Sequence, residues 1–458
     1  MSQTRKRAPA GDIPERHGVP VVAFVSLGCV KNLVDSEKML AQVAETGAVL
    51  GDESIADTVV VNTCGFLGTA RQEALDVLRG LAQRKRRGTL QRIIVAGCLA
   101  QRDGTALCDA IPEIDALVGV NNRDDLARVI WPPSDAVARG AFLDGYHAQP
   151  WSDQCRLRLT PQHYAYVRIS EGCDQKCTFC TIPAIRGPLH CKTPEALAAE
   201  CQEMIADGAR ELILIGQDTT SYGKDSGYEP GLAGLLRHLD RVCDGARWLR
   251  LMYAYPSELT EAMIDALAEC ARCVKYVDLP LQHINDRILR TMGRRVTRAQ
   301  TETLLARLRQ RIPGLTIRTT FMVGFPGETA AGFDELLRFV RDFRFDAVGA
   351  FTFSREPETP AGSMPAQIDG ALARQRYDRL MQTQQEIAFA AARQRVGQCF
   401  DVVVDESHPG RCVARHAGQA PEVDSVCLLR GGQFPAGEQL RVRCTDTSGY
   451  DLVVEPQP

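Results

Sequence analysis

Two rhythms of apolar and polar positions alternate between residues 20 and about 130. The runs VVAFVSLGC (21–29), DTVVVNTC (57–64) and QRIIVAGC (91–98) have the length and β-branched content of buried strands. Between them, SEKMLAQVAETG (36–47) and TARQEALDVLRGLAQRKRRG (69–88) carry helical spacing and end on glycine. Strand and amphipathic helix in alternation predict parallel βαβ units. A stretch rich in Pro, Gly and polar residues then reads as a linker over 131–160.

The alternation resumes over a longer span. Strands are expected in YAYVRIS (164–170), ELILIG (211–216), WLRLMYAY (248–255), VKYVDLPL (274–281), LTIRTTFMVG (315–324) and FDAVGAFTFS (345–354). Six βα units predict a curved or barrel-like parallel sheet. A long helix from about 371 to 396 closes this domain. After it, CFDVVVDE, RCVARHA, SVCLLRG and QLRVRCTDT are short strands joined by glycine turns, the pattern of a small all-β barrel. The chain thus divides into a disordered basic tail (1–19), an N-terminal α/β domain (20–130), the linker (131–160), a larger βα domain (161–392) and a β domain (393–458).

The 458 residues are 45% hydrophobic and 24% charged, so large ordinary cores are available without staples. A net charge of −3 gives the whole chain no nucleic-acid signature. No apolar run reaches a membrane span and the N-terminus lacks a signal segment, so the expected location is the cytoplasm. Seventeen cysteines are many for that compartment, where thiols stay reduced. Metal or redox chemistry is the better explanation for any that cluster.

Three do cluster, in SEGCDQKCTFC (170–180): Cys173, Cys177 and Cys180 follow directly on a strand. Reduced loop thiols, zinc and an iron–sulfur cluster are the possible readings. Structural zinc wants four ligands, and His190 and Cys191 are the nearest candidates for a fourth. An iron–sulfur cluster on three thiolates keeps one iron open to a ligand. Three more cysteines lie far apart in sequence but in register: Cys29, Cys64 and Cys98 each follow one of the first three strands. Parallel strands end on one edge, where ligands bind, so these three converge there, beside Gly28, Gly65 and Gly97. Buried strand-end cysteines are the bland alternative. Cys270 and Cys273 form CARC, a redox pair or, preferably, packing. Cys399, Cys412, Cys427 and Cys444 read as thiols of the β domain.

The Cys-x-x-x-Cys-x-x-Cys motif resembles the signature of the radical S-adenosylmethionine (SAM) enzymes. With both cysteine sets, the chain is similar over roughly residues 20–457 to the methylthiotransferases of that superfamily. The resemblance implies an N-terminal cluster domain, a partial (βα)6 barrel and a C-terminal TRAM barrel. It also implies two [4Fe-4S] clusters, the first on Cys173, Cys177 and Cys180 with SAM on its open iron, the auxiliary one on Cys29, Cys64 and Cys98. Two SAM would be used, one to methylate sulfur and one to generate a 5′-deoxyadenosyl radical.

One branch of that family modifies an adenosine of tRNA. The other modifies the β-carbon of an aspartate in small-subunit ribosomal protein S-twelve. GQDTTSYG (216–223), LRLMYAYP (249–256), LPLQH (279–283), RYDRLMQTQQEI (376–387) and APEVDS (420–425) resemble the ribosomal branch. From Val396 onward five arginines face nine acids, a balance better suited to a basic protein than to RNA. The expected substrate is therefore the ribosomal protein. The alternatives are a tRNA adenosine methylthiotransferase and a non-catalytic RNA-binding cluster protein.

Within the resemblance, TTFMVGFPGET (319–329) matches the adenosyl-binding turn, which puts Gly324 at SAM. Gln217 and Asp218 end another strand and are expected to face SAM or substrate, or to cap a turn. His283 reads equally as cavity lining or satisfied core. The family's Arg-Gly followed by Ser-Arg is here RGPLHCK, with Arg186, Gly187, Cys191 and Lys192. Lys192 keeps a cation at the place of a SAM-carboxylate contact but lacks the arginine fork.

Overall fold

A computed structural model describes residues 19–131, 140–146 and 152–457. Apart from Val19, the tail expected over 1–19 lies outside the described residues.

The first domain is a six-stranded, all-parallel sheet. Its strands are β1 (Val21–Ser26), β2 (Val49–Leu50), β3 (Thr58–Thr63), β4 (Arg92–Gly97), β5 (Ala116–Val118) and β6 (Gly140–Phe142), in the order β2-β1-β3-β4-β5-β6. Both faces are covered, which is why the strands are continuously apolar. Val59, Val61, Ile93 and Val95 pack with Leu78 and Leu81 of helix α2 (Gly68–Arg86). Val60 and Ile94 pack on the other face with Met39 and Val43 of helix α1 (Val30–Glu45).

Strands β2, β5 and β6 are two or three residues long, too short to leave a period in the sequence. Strand β6 corrects the linker reading: the 131–160 stretch supplies an edge strand to the sheet. The same stretch buries Asp153, which is 2% exposed, between the domains.

In the second domain, β7 (Tyr164–Arg168) leads into the short antiparallel pair β8 (Ser170–Glu171) and β9 (His190–Cys191). Then follow β10 (Glu211–Ile215), β11 (Trp248–Leu251), β12 (Tyr276–Asp278), β13 (Thr316–Val323) and β14 (Ala347–Thr352). Parallel sheets β11-β10-β7 and β12-β13-β14 are joined by a bridge between Leu249 and Cys273, so six parallel strands follow one another in chain order. This is the expected partial barrel. Strands β11 and β12 end earlier than their apolar runs. Just beyond them, Tyr253 (φ 62°) and Gln282 (φ 70°) adopt left-handed backbone that non-glycine residues rarely take.

The third domain is a closed barrel of β15 (Cys399–His408), β16 (Arg411–His416), β17 (Cys427–Leu429), β18 (Gln439–Ser448) and β19 (Asp451–Pro456), in the order β15-β16-β17-β19-β18. The sequence pattern missed β19. Cys412, Cys427 and Cys444 are core residues here, packed with Val402, Val404, Val442 and Val454.

Polar contacts fix the domains to each other. The barrel docks through Tyr164 Oη donating to Glu422 (2.9 Å), Tyr276 Oη donating to Asp424 (2.8 Å), and Arg415 binding Glu211 (2.9 Å). His163 and Asp405 meet at 2.8 Å. With Asp401, which pairs with Arg247 at 3.7 Å, four of the barrel's nine acids face the neighbouring domain. The first domain docks through buried charge. Asp35 of α1 meets Arg168 (2.7 Å) and Arg186 (3.0 Å), and Asp153 meets Arg123, Arg168 and Lys192 (each 2.7 Å). Burial alone would raise the Asp153 carboxyl, but Arg168, Lys192 and Arg123 outweigh it and hold it well below the usual carboxylate range.

A candidate active-site cavity between two cysteine triads

The carboxyl ends of the first sheet and of the partial barrel face one another across a cavity of about 360 Å3. All six cysteines singled out in the sequence line it: Cys29, Cys64 and Cys98 from one side, Cys173, Cys177 and Cys180 from the other. Cys29 caps helix α1, Cys64 follows β3, and Cys98 begins the helix after β4 (Cys98–Asp103). Their approach depends on glycine. Gly28 has φ 94°, and a Cβ there would stand 2.6 Å from Cys64 Cβ; one on Gly65 would stand 2.8 Å from the Cys98 carbonyl.

Among the described residues no three His, Cys, Asp or Glu side chains close on a point as a single metal ion requires. A polynuclear cluster interposes several irons and needs its thiolates farther apart. Six thiols in two threes fit two such clusters. Burial pushes the Cys98, Cys173 and Cys180 thiols up to about 12. They are neutral in the metal-free protein, and metal binding must displace their protons.

Polar groups hold the thiols in place. Arg186 Nε donates to Cys98 Sγ (3.3 Å), and its other nitrogens bind Asn32 (2.7 Å), Asp35 (3.0 Å) and Glu171 (2.8 Å). On the opposite side, backbone N–H groups of Gln175 and Ile182 donate to Cys173 and Cys180 (3.4 Å each). Arg294 stacks 3.9 Å over the Tyr255 ring, beside Cys177. Lys31 lies 3.0 Å over the Tyr253 ring. Burial pulls its ammonium down to about 8, against the pull of Cys29.

The remaining expectations separate. Gln217 lines the cavity, with Nε2 held by Glu171 and Oε1 buried without a partner. Asp218 does not line it; the carboxylate accepts from Thr220, Ser221 and Gln175, so the capping reading holds. Lys192 is corrected: it is absent from the cavity wall, and Asp153 and Glu200 bind its ammonium at 2.6–2.8 Å. Gly324 packs against Ala373 and donates its N–H to Glu328 (2.6 Å), next to Phe325, whose ring meets Phe179 of the cavity wall. His283 is a fully buried core histidine between Glu328 and the Asn285 N–H. Neither His190 nor Cys191 lines the cavity.

The sequence reading missed Lys31, Gln175, Tyr253, Tyr255, Gln282, Arg294 and Thr320 on the wall. A signal existed: Tyr253 and Tyr255 lie in LRLMYAYP and Gln282 in LPLQH, the stretches that carried the family resemblance. Gln282 Oε1 and Arg294 Nε are, like Gln217 Oε1, buried without partners. Such orphaned groups on the cavity wall suit a polar cofactor there.

Residues 167–340 match the model of the radical SAM superfamily, 21–119 that of the uncharacterized protein family UPF0004, and 396–456 that of the TRAM domain. The chain is 40% identical over 438 residues to the ribosomal protein uS12 methylthiotransferase RimO of Trichlorobacter lovleyi, covering 95% of this chain and 97% of that one. It is 42% identical over 432 residues to the protein of the same name from Anaeromyxobacter sp. (strain K), covering 93% and 91%. Among solved structures, the radical SAM methyltransferase TsrM of Kitasatospora setae shares the fold over 75% of each chain, with a TM-score of 0.55 and 16% identity. Motifs, fold and relatives agree, and the chain belongs to the RimO family of radical SAM methylthiotransferases.

Proposed function

We propose that this enzyme adds a methylthio group to the β-carbon of an aspartate in small-subunit ribosomal protein S-twelve, in the cytoplasm, using two SAM and two [4Fe-4S] clusters. The observation that carries the reading is the sharing of one cavity by both cysteine triads. When bound, the clusters and SAM would supply the carbon-centred radical chemistry and the sulfur. Cys173, Cys177 and Cys180 would hold the SAM-binding cluster, and Cys29, Cys64 and Cys98 the auxiliary one.

The chain's own residues support each part. Gln217, Gln282 and Arg294 offer unpaired polar atoms to the cavity, Arg294 beside Cys177 of the SAM-binding triad. Phe66, Phe179, Ile182 and Phe351 give the cavity an apolar lining that excludes water from a reactive radical. Among its described lining residues the cavity has the cations Lys31, Arg186 and Arg294 and no carboxylate, which suits an anionic side chain. Among the described residues no helix is long and apolar enough to cross a membrane. The acidity of the barrel is weaker support than its composition suggests, because Asp405, Glu422 and Asp424 are engaged internally.

Mass spectrometry of the ribosomal protein and of tRNA from a deletion strain tests the assignment. A lost aspartate modification with intact tRNA is expected; a lost tRNA modification with an intact aspartate mark would reverse it. Iron analysis of anaerobically reconstituted protein is expected to give about eight irons per chain, and about four would remove the auxiliary cluster from the reading.

A further inference from the structure

The three cations of the cavity are not equivalent. Arg186 is neutralised by Asp35 and Glu171. Arg294 donates to the Pro280 carbonyl and leans on Cys177 and the Tyr255 ring. Lys31 has neither: among the described residues its ammonium meets no Asp or Glu within ion-pair distance and no hydrogen-bond acceptor, although the residue is only 7% exposed. Its one close contact is the face of Tyr253, 3.0 Å away. A buried cation without a counter-ion is costly unless an anion arrives to pair with it.

The support beneath it is also unusual. Tyr253 is one of six described non-glycine residues with positive φ. Its backbone is fixed by the Asp278 carboxylate, which accepts from the Tyr253 N–H (3.1 Å), and by the Thr219 N–H, which donates to its carbonyl (3.1 Å). Strained backbone that the surroundings enforce marks positions where a side chain must be aimed. Here it aims the ring under the ammonium.

We infer that Lys31 and Tyr253 form the subsite for the substrate's aspartate side chain, Lys31 pairing with its carboxylate and so selecting an acidic side chain over its amide. This rests on the proposed substrate. The location argues for substrate over SAM. Lys31 sits two residues from Cys29, on the side of the triad assigned to the sulfur-bearing cluster, whereas Arg294 lies against Cys177 of the other triad. A carboxylate held at Lys31 brings the neighbouring β-carbon toward the Cys29 side of the cavity. A neutral nucleobase offers Lys31 no charge to pair with.

The test uses the reconstituted two-cluster protein and two synthetic peptides, one spanning the target aspartate and one with asparagine in its place. Calorimetric titration of the wild type is expected to show preference for the aspartate peptide. Lys31→Met should weaken binding of that peptide by about 30-fold or more and leave the asparagine peptide within about twofold. Lys31→Arg should restore part of the preference, and iron content and Tm report whether each variant is intact. A Lys31→Met protein that keeps its iron and still prefers the aspartate peptide as the wild type does overturns the Lys31 assignment alone. A wild type that leaves the aspartate peptide unmodified and methylthiolates tRNA overturns the substrate reading and this subsite with it.

Discussion

Arg186 Nε lies 3.3 Å from Cys98 Sγ, a contact made from one domain to a cysteine of another. The same guanidinium binds Asp35 and Glu171, all three groups being buried. Arg186→Ala would leave Asp35 and Glu171 sharing Arg168 in a dry interface, one cation short, at a cost of about 3 kcal/mol. The expected result is a lower Tm together with weaker retention of iron on the Cys98 side. Arg186→Lys should recover charge but not the forked geometry, and so only part of the stability.

Gly28→Ala tests whether the three distant cysteines converge as a unit. An added methyl collides with Cys64 Cβ on a backbone at φ 94°. Reconstituted protein is expected to fall from about eight irons to about four per chain, with the second triad still loaded. Unchanged iron would mean that the strand ends tolerate a wider spacing.

The buried network makes stability pH-dependent. Burial would raise Asp153, Asp35 and Glu171, but their arginine and lysine neighbours outweigh it and lower all three below the ordinary carboxylate range. A carboxylate depressed in the folded state stabilises above its unfolded pKa and loses that contribution as pH falls through the folded value. The Tm should be flat near neutrality and fall steeply below about pH 4. Asp153→Asn should lower the plateau and flatten the fall.

Lys192→Met separates a structural lysine from a cofactor ligand. Asp153 and Glu200 lose their shared ammonium, so the protein should lose about 3 kcal/mol of stability, read as a lower Tm. Affinity for SAM, measured by titration, should stay within about twofold, because Lys192 does not reach the cavity.

At the barrel interface, Tyr276→Phe removes the hydroxyl that Asp424 accepts. Burial already raises the Asp424 carboxyl, which then keeps the Ala420 N–H and Arg318, so losing the hydroxyl should cost about 1 kcal/mol. Amide exchange is expected to quicken around residues 420–425, with the first domain unaffected.

The domain plan and both triads were readable because they rest on strong periodic signals: long apolar strands, and cysteines recurring once per βα unit. What escaped was set by tertiary contact. Strands β2, β5 and β6 are too short to show a period and exist because the neighbouring strand offers an edge. Lys192 looks suited to a cofactor in sequence, yet it is consumed by Asp153 and Glu200, while Arg186 of the same motif reaches Cys98. Gly324 ends a strand as expected, but the long helix Gly370–Gln394 covers it through Ala373. The family stretches proved informative for an unexpected reason: LRLMYAYP, LPLQH and APEVDS each contain one positive-φ residue, Tyr253, Gln282 and Glu422.

The charged seam between the first two domains also limits how such enzymes can be recombined. Asp35, Arg123, Asp153, Arg168, Glu171 and Arg186 interlock residues from three stretches of chain. A chimera that imports a foreign N-terminal unit must bring a counterpart of Asp35, or Arg168 and Arg186 are left to share Glu171 and Asp153 with a buried charge uncompensated. The β-barrel is keyed in its own way, by Tyr164 and Tyr276 on its carboxylates and by Arg415, Arg250 and Arg318 across the interface, so it too must be exchanged together with its partners.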